Sequence, residues 1–131
     1  KVPNMPNPHH LLLTLSLLSL SAAAFAEPLP PAAKAEVTAV LNRLEASGCE
    51  FNRNDRWYSA AQARAHLQRK LDYVESKASA KTAEGFINLA ASKSSVTGVA
   101  YQVRCSGQAP EASAAWLLKQ LAELRRAKPG A

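Results

Sequence analysis

The feature that most constrains this chain is its cysteine count, since Cys49 and Cys105 are the only two among 131 residues. Two cysteines allow a single intramolecular pairing, and a bridge between them closes the middle of the chain into one loop. The loop-entropy relation gives such a bridge roughly 4 kcal/mol of stabilisation, a large share of what a small domain has in total. A zinc site competes poorly. Two isolated thiols with no C-x-x-C pair and no nearby histidine lack the ligand spacing zinc requires, and neither another metal nor a cofactor is expected. The disulfide presupposes an oxidising compartment.

The N-terminal region points to that compartment. From Leu11 to Ala26 there is no charged residue: LLLTLSLLSL is followed by SAAAFA and then Glu27. A short apolar run leading into an A-x-A signal, Ala24-Phe25-Ala26, is the pattern of a cleavable signal peptide. A membrane span needs roughly 20 predominantly apolar residues, whereas Ser16, Ser19 and Ser21 dilute this run. Residues 1 to 26 are therefore expected to be a signal peptide cleaved after Ala26, leaving no transmembrane anchor. No cysteine stands at the cleavage position, so no lipid anchor is expected there. The charged lead-in is slight: Lys1 alone, or His9 and His10 if translation begins at Met5, in which case Lys1 to Asn4 precede the native coding sequence.

The whole chain carries a net charge of +6, and loss of the leader removes only Lys1, so the exported part stays basic. Nucleic acid would be the usual partner of a basic domain, but export takes the domain away from it. The remaining acidic neighbours are phospholipid head groups, lipopolysaccharide phosphates and acidic proteins; a plainly solubilising surface is the other reading.

Residues 27–31, EPLPP, form a proline-rich lead-in that reads as a tether, and residues 32–128 are expected to make a single monomeric domain. Val37, Val40, Leu41 and Leu44 fall at helical spacing and predict a first helix over about 32–47, with Gly48 as its stop. CEFNRNDRWY, Cys49 to Tyr58, suits a short strand, a turn at Asn54-Asp55 and an extended exit. Ser59 with Gln62 is a capping box opening a second helix, whose buried face is Ala63, Leu67, Leu71 and Val74. Beside it runs a polar stripe of His66, Lys70 and Tyr73. Thr82 or Ser79 caps a shorter third helix carrying Phe86, Ile87, Leu89 and Ala90, in which Gly85 costs roughly 1 kcal/mol relative to Ala. After the hydroxyl-rich loop SKSSVTG, the alternation of Val99, Tyr101 and Val103 predicts a second strand. Pro110 and Ser113 start a last helix, buried through Leu117, Leu118, Leu121 and Leu124. A disulfide from the start of one strand to the end of the other favours antiparallel pairing. The expected fold is α+β, a two-stranded antiparallel element packed with about four helices.

The polar groups that could carry chemistry are Arg53, Asn54 and Asp55 at the turn, His66 with Lys70 one helical turn apart, Glu84, and the loop of Ser92, Ser94, Ser95 and Thr97 that ends near Tyr101. One reading is an anion site in which Arg53, Lys70 and loop amides grip a phosphate or carboxylate. A second is a small serine hydrolase with Ser94 or Ser95 as nucleophile, His66 as base and Asp55 or Glu84 as orienter, although no nucleophile elbow is present. The bland reading of His66 is an imidazole at the core margin, bonded to a loop carbonyl or hydroxyl. Trp57, Tyr58, Tyr101 and Trp116 read more simply as core or core margin than as a binding platform.

Taken in order, Phe51-x-Arg53-Asn54, Tyr58, Ala63-x-x-His66-Leu67-x-x-Lys70, Thr82-Ala83-Glu84-x-Phe86-Ile87, Ser92-x-Ser94-Ser95-x-Thr97-Gly98 and Tyr101 resemble the YfeK-like family of small exported proteins of Gram-negative bacteria. The resemblance implies a periplasmic location and a shared site of Arg53, Asn54, His66, Lys70, Glu84, Ser92, Ser94, Ser95 and Tyr101, but no activity. Asp55 stands where the resemblance implies a turn glycine, which argues against positive φ there, although Asp tolerates it better than most residues. Gly85 replaces an acidic residue and Ala100 a common proline.

The function expected from the sequence is a non-enzymatic binding or interaction module, with an anionic small molecule, an envelope component or a periplasmic protein as partner. A third reading is an inhibitor that inserts the hydroxyl-rich loop into an acidic envelope enzyme; basic lysozymes would be poor electrostatic targets. The export reading is checked by N-terminal sequencing of protein from the cell envelope. Chains beginning at Glu27 are expected, and full-length chain in the membrane fraction would refute it.

Overall fold

Helix α1 (Pro31–Ala46) opens on a proline, at the position where a missing N–H is harmless and φ is already helical. The computed structural model describes residues 2–4, 28–77 and 79–128; the apolar run Leu11 to Ala26 and its cleavage signal lie outside the described residues. Val37, Val40, Leu41 and Leu44 of α1 are all buried, as their spacing predicts. Leu29 is also buried, at 3% exposure, so the lead-in is docked at that residue and is not a free tether. The helix ends where expected: Gly48 takes a φ of +68°, and the Ser47 hydroxyl donates to the Leu44 carbonyl while accepting from the Cys49 amide. That turn delivers the chain directly into the first strand.

Strand β1 (Glu50–Arg53) hairpins into β2 (Arg56–Tyr58), and α2 (Ala60–Lys77), α3 (Ala83–Ala90), β3 (Gln102–Arg104), β4 (Glu111–Ala112) and α4 (Ser113–Ala127) follow. The α+β class holds, but the sheet has four strands and not two, in the order β2-β1-β3-β4 with every pairing antiparallel. The two strands not anticipated are the outer ones. At three and two residues, Arg56–Tyr58 and Glu111–Ala112 are too short for a period of two to register, and they exist because their neighbours offer open edges. Within the hairpin, Asn54 and Asp55 have φ of +51° and +62°, the pair of left-handed residues that a two-residue turn requires. Asp55 therefore adopts the positive φ that the absence of glycine argued against.

Both predicted caps form. Ser59 and Gln62 bond reciprocally at the start of α2, backbone amide of each to side chain of the other at 3.0 and 3.2 Å, and Thr82 accepts from the Gly85 amide at 3.0 Å. A side chain at Gly85 would come within 3.1 Å of that Thr82 hydroxyl, so the glycine leaves the cap room. Helix α1 packs on α2, α3 and α4, and the sheet reaches the helices through β1 on α2 and through β3 and β4 on α4. Phe51 and Trp116 close that seam edge to face, ring centres 5.7 Å apart. Leu67, Leu71, Val74, Phe86, Ile87, Leu117 and Leu121 complete the core. Leu89, carried by the same short helix as Phe86 and Ile87, is 52% exposed, because a helix as short as α3 turns only one face inward.

Cys49 and Cys105 are bridged, with Cα atoms 4.4 Å apart, closer than the 5 to 6 Å usual for disulfides. The register Glu50↔Arg104 sets the two cysteines directly opposite one another, and facing residues of antiparallel strands approach to about 4.5 Å in their narrow pairs. Reduction, or Cys49→Ala with Cys105→Ala, is expected to destabilise the domain by about 2 to 5 kcal/mol in denaturant titrations. Thiol alkylation should succeed only after reductant.

Candidate functional site

The face of β1 and β3 that carries the disulfide also carries Phe51 and Val103, and the same alternation brings Arg53 and Tyr101 to that face at the other end. Helix α2 lies against β1 and presents His66 and Lys70 one turn apart. The four side chains meet. Arg53 Nη1 lies 3.1 Å from His66 Nδ1 and 3.4 Å from Nε2, His66 Nε2 lies 3.5 Å from the Tyr101 hydroxyl, and Lys70 Nζ donates to that hydroxyl at 2.9 Å. Lys70 also donates to the carbonyl of Ala90 at 2.8 Å, the last residue of α3, where a cation is favoured by the helix dipole. The guanidinium of Arg53 sits 5.3 Å from the centre of the Tyr58 ring; its hydrogen bond and charge hold the Tyr58 phenol below its usual range.

Chemically consistent roles follow from the partners. Arg53 can only donate, so His66 accepts on Nδ1 and carries its proton on Nε2, toward the phenol oxygen. The imidazole is then neutral, which its surroundings enforce: burial first, and then the charges of Arg53, Lys70 and Arg69, bring it down from an ordinary 6.5 to about 4. Tyr101, with two donors on its oxygen, keeps its own proton for a third partner.

Two hollows adjoin this chain of contacts and share His66 and Arg69. A cavity of about 270 Å³ runs between the hairpin and α2, with Phe51, Ala63 and Leu67 among its apolar walls and Arg53, Tyr58 and Tyr101 among its polar ones. A wider groove of about 760 Å³ lies on the other side of His66, bordered by Lys70, Tyr73, Lys77, Leu89 and Ser95. Neither lining contains a carboxylate. Arg69 makes no hydrogen bond or ion pair with the described residues. Sequence reasoning passed over it, although its place three residues after His66 puts it on the same side of α2.

The other expected site residues are distributed differently. Asn54 accepts from the Thr97 hydroxyl at 2.6 Å, which pins the serine-rich loop to the hairpin tip. Ser94 is 4% exposed, and its hydroxyl accepts from the amides of Val96 and Thr97, folding the loop on itself. Ser92 donates back to Asn88, and Ser95 stands at the rim of the groove. Glu84 is not brought to the cluster: it pairs with Arg125 of α4, which also holds Glu36 of α1. Among the described residues no three His, Cys, Asp or Glu side chains are grouped to hold a metal ion.

A family model described as Family of unknown function (DUF5329) matches residues 31–125; it carries no narrower YfeK-like assignment. No curated protein and no solved structure matches the chain.

His66 is the only histidine beyond residue 10, so its titration can be followed by NMR as a single imidazole. A midpoint at about 4 is expected. Because the folded value lies below the unfolded one of about 6.5, His66 favours folding most above that pH, and this stability is lost as pH falls toward 4. Arg53→Gln removes one of the repelling charges, and should raise the midpoint and narrow the window.

Proposed function

We propose that this chain, which belongs to the family of unknown function DUF5329, is an exported periplasmic binding module that takes an anionic small molecule beside His66. The observation that carries this reading is the sign of the lining. Arg53, Arg69, Lys70 and Lys77 border the two hollows around a neutral imidazole, with no acidic side chain among them. Unmatched cations in a partly desolvated setting repel one another, and an anion relieves that repulsion while making charge-assisted hydrogen bonds. An envelope component or periplasmic protein would be met through the same cations if it offered an accessible acidic group.

Export is supported by the leader pattern and by the disulfide, a bond kept in oxidising compartments. No helix among the described residues is long and apolar enough to cross a membrane.

Hydrolysis by Ser94 or Ser95 is the weaker reading on this geometry. The Ser94 hydroxyl is engaged by two loop amides, and His66 is bonded by a guanidinium and a phenol, where a base oriented by a carboxylate is needed. Loop insertion into an enzyme is disfavoured in the same way, since Ser94 and Thr97 turn their hydroxyls inward or onto Asn54.

The test is an NMR titration of the purified oxidised protein with acetate and with inorganic phosphate. Shifts centred on His66, weakened about tenfold or more in the Arg53→Gln, Arg69→Gln double variant, are expected, and a serine-reactive phosphonate should leave the loop unlabelled. Stoichiometric labelling of Ser94 or Ser95 that His66→Ala abolishes would overturn the binding-only reading.

A further inference from the structure

We infer that the cavity between the hairpin and α2 takes a small carboxylate with an apolar body, its head on Arg53 and its acyl chain or ring against Phe51, Ala63 and Leu67. This rests on the anion reading above and goes beyond it by naming the ligand class. Three features of the cavity lead there.

The first is its division into two chemistries. Phe51 is 6% exposed, Leu67 5% and Ala63 9%, so the inner wall is made of core side chains, and water beside them gains few hydrogen bonds. An inorganic anion would leave that wall wet or empty. Arg53 stands at the other end, oriented by His66 on one side and by the Tyr58 ring on the other. Its guanidinium is a planar fork that matches a carboxylate in a bidentate way.

The second is size. About 270 Å³ exceeds the roughly 150 Å³ in which a benzene ring is known to be held by an apolar cavity, and falls just short of the roughly 300 Å³ at which drug-sized sites begin. A ring or a short acyl chain with one charged head is the scale that fits. A long-chain lipid is not.

The third is charge and hydrogen-bond supply. Arg69, without a hydrogen-bond or ion-pair partner among the described residues, lines the cavity and favours a negative charge there. The Tyr101 hydroxyl lines the cavity with a proton left to donate, since Lys70 and His66 both donate to its oxygen. A carboxylate head between Arg53 and Tyr101 would then have a donor for each oxygen, and its charge would favour the protonated form of His66.

The experiment is a binding series on the purified oxidised protein with acetate, butyrate, hexanoate and benzoate, set against hexanol, benzyl alcohol and inorganic phosphate, at fixed pH and ionic strength. Burial of one methylene is worth about 0.8 kcal/mol, or roughly fourfold in affinity, so hexanoate should bind at least about tenfold more tightly than acetate. The alcohols and phosphate should bind more weakly than hexanoate. Arg53→Gln should lower affinity for hexanoate and benzoate alike, and Ala63→Leu, which fills the apolar end, should flatten the dependence on chain length. Unfolding curves of both variants establish that they are folded, and the chain-length slope of the unaltered protein is a test that needs no variant. Equal affinity for acetate, phosphate and hexanoate would overturn this inference and leave the anion site standing. Binding of the alcohols as tightly as of the acids would overturn both, as would binding of no anion at all.

Discussion

The bridge between Cys49 and Cys105 fixes the register of β1 against β3, and the rest of the molecule is placed by that register. With the cysteines opposite one another, Phe51 falls opposite Val103, and one further alternation sets Arg53 opposite Tyr101 on the same face. These cross-strand pairs form a ladder from a covalent bond, through the core, to a polar rim. A slip of one residue would turn all of them to the other face of the sheet, burying Asn52 and Gln102 without partners and sending Arg53 away from His66. Register is weakly held by strands of three and four residues alone, so a bond at one end has large leverage over the site at the other.

Charge in this protein is segregated as well as net positive. Glu36 and Glu84 are taken by Arg125, Glu45 by Arg64, Glu123 by Arg43, Glu50 by Arg104, Glu75 by Lys34 and Glu111 by Lys119. Exposed pairs of this kind add little stability each, but they remove carboxylates from the neighbourhood of His66. Among the cations outside these pairs, Arg53, Arg69, Lys70 and Lys77 line the hollows. His66 has answered by giving up its proton, and Lys70 by leaning on a helix end and on the Tyr101 ring, 4.9 Å from its centre. Neutralisation of the imidazole and solvation by dipoles are the two ways a protein tolerates such a cluster without an acid.

Helices and core were legible in the sequence because they repeat: Val37, Val40, Leu41 and Leu44, or Leu67, Leu71 and Val74, state a period of 3.6 that local chemistry at Ser59, Gln62 and Thr82 then bounds. The bridge was legible from a count of two. The outer strands were not, since β2 and β4 depend on edges that β1 and β3 offer only once folded. Of the site, Arg53, His66, Lys70 and Tyr101 were found through aligned spacing and polar character, and the structure does gather them. Arg69 was missed because a lone arginine on a helix looks like any solvated charge. Glu84 was included because it stands in the motif Thr82-Ala83-Glu84-x-Phe86-Ile87, but Arg125 on the next helix, α4, decides where that carboxylate goes. Asp55 shows the converse limit, for a hairpin held at both ends imposes a positive φ on a residue that would not choose it alone.

These constraints place the site at the more easily opened end of the sheet. One end of β1 and β3 is tied by a disulfide; the other is closed by neutral and cationic contacts among Arg53, His66, Tyr101 and Lys70, together with the single bond from Thr97 to Asn54. Local opening is cheapest where covalent and apolar contacts are fewest, so fluctuation concentrates at the hairpin tip and the loop that touches it. The groups that would grip an anion are the same groups that hold this end shut. A ligand bound among them would add the attraction the cluster lacks and would tighten the hairpin against α2, because anything that binds only the folded arrangement stabilises it by mass action. On the proposed reading, the polar end of the ladder would be completed by charge supplied from outside, as its other end is completed by the Cys49–Cys105 bond.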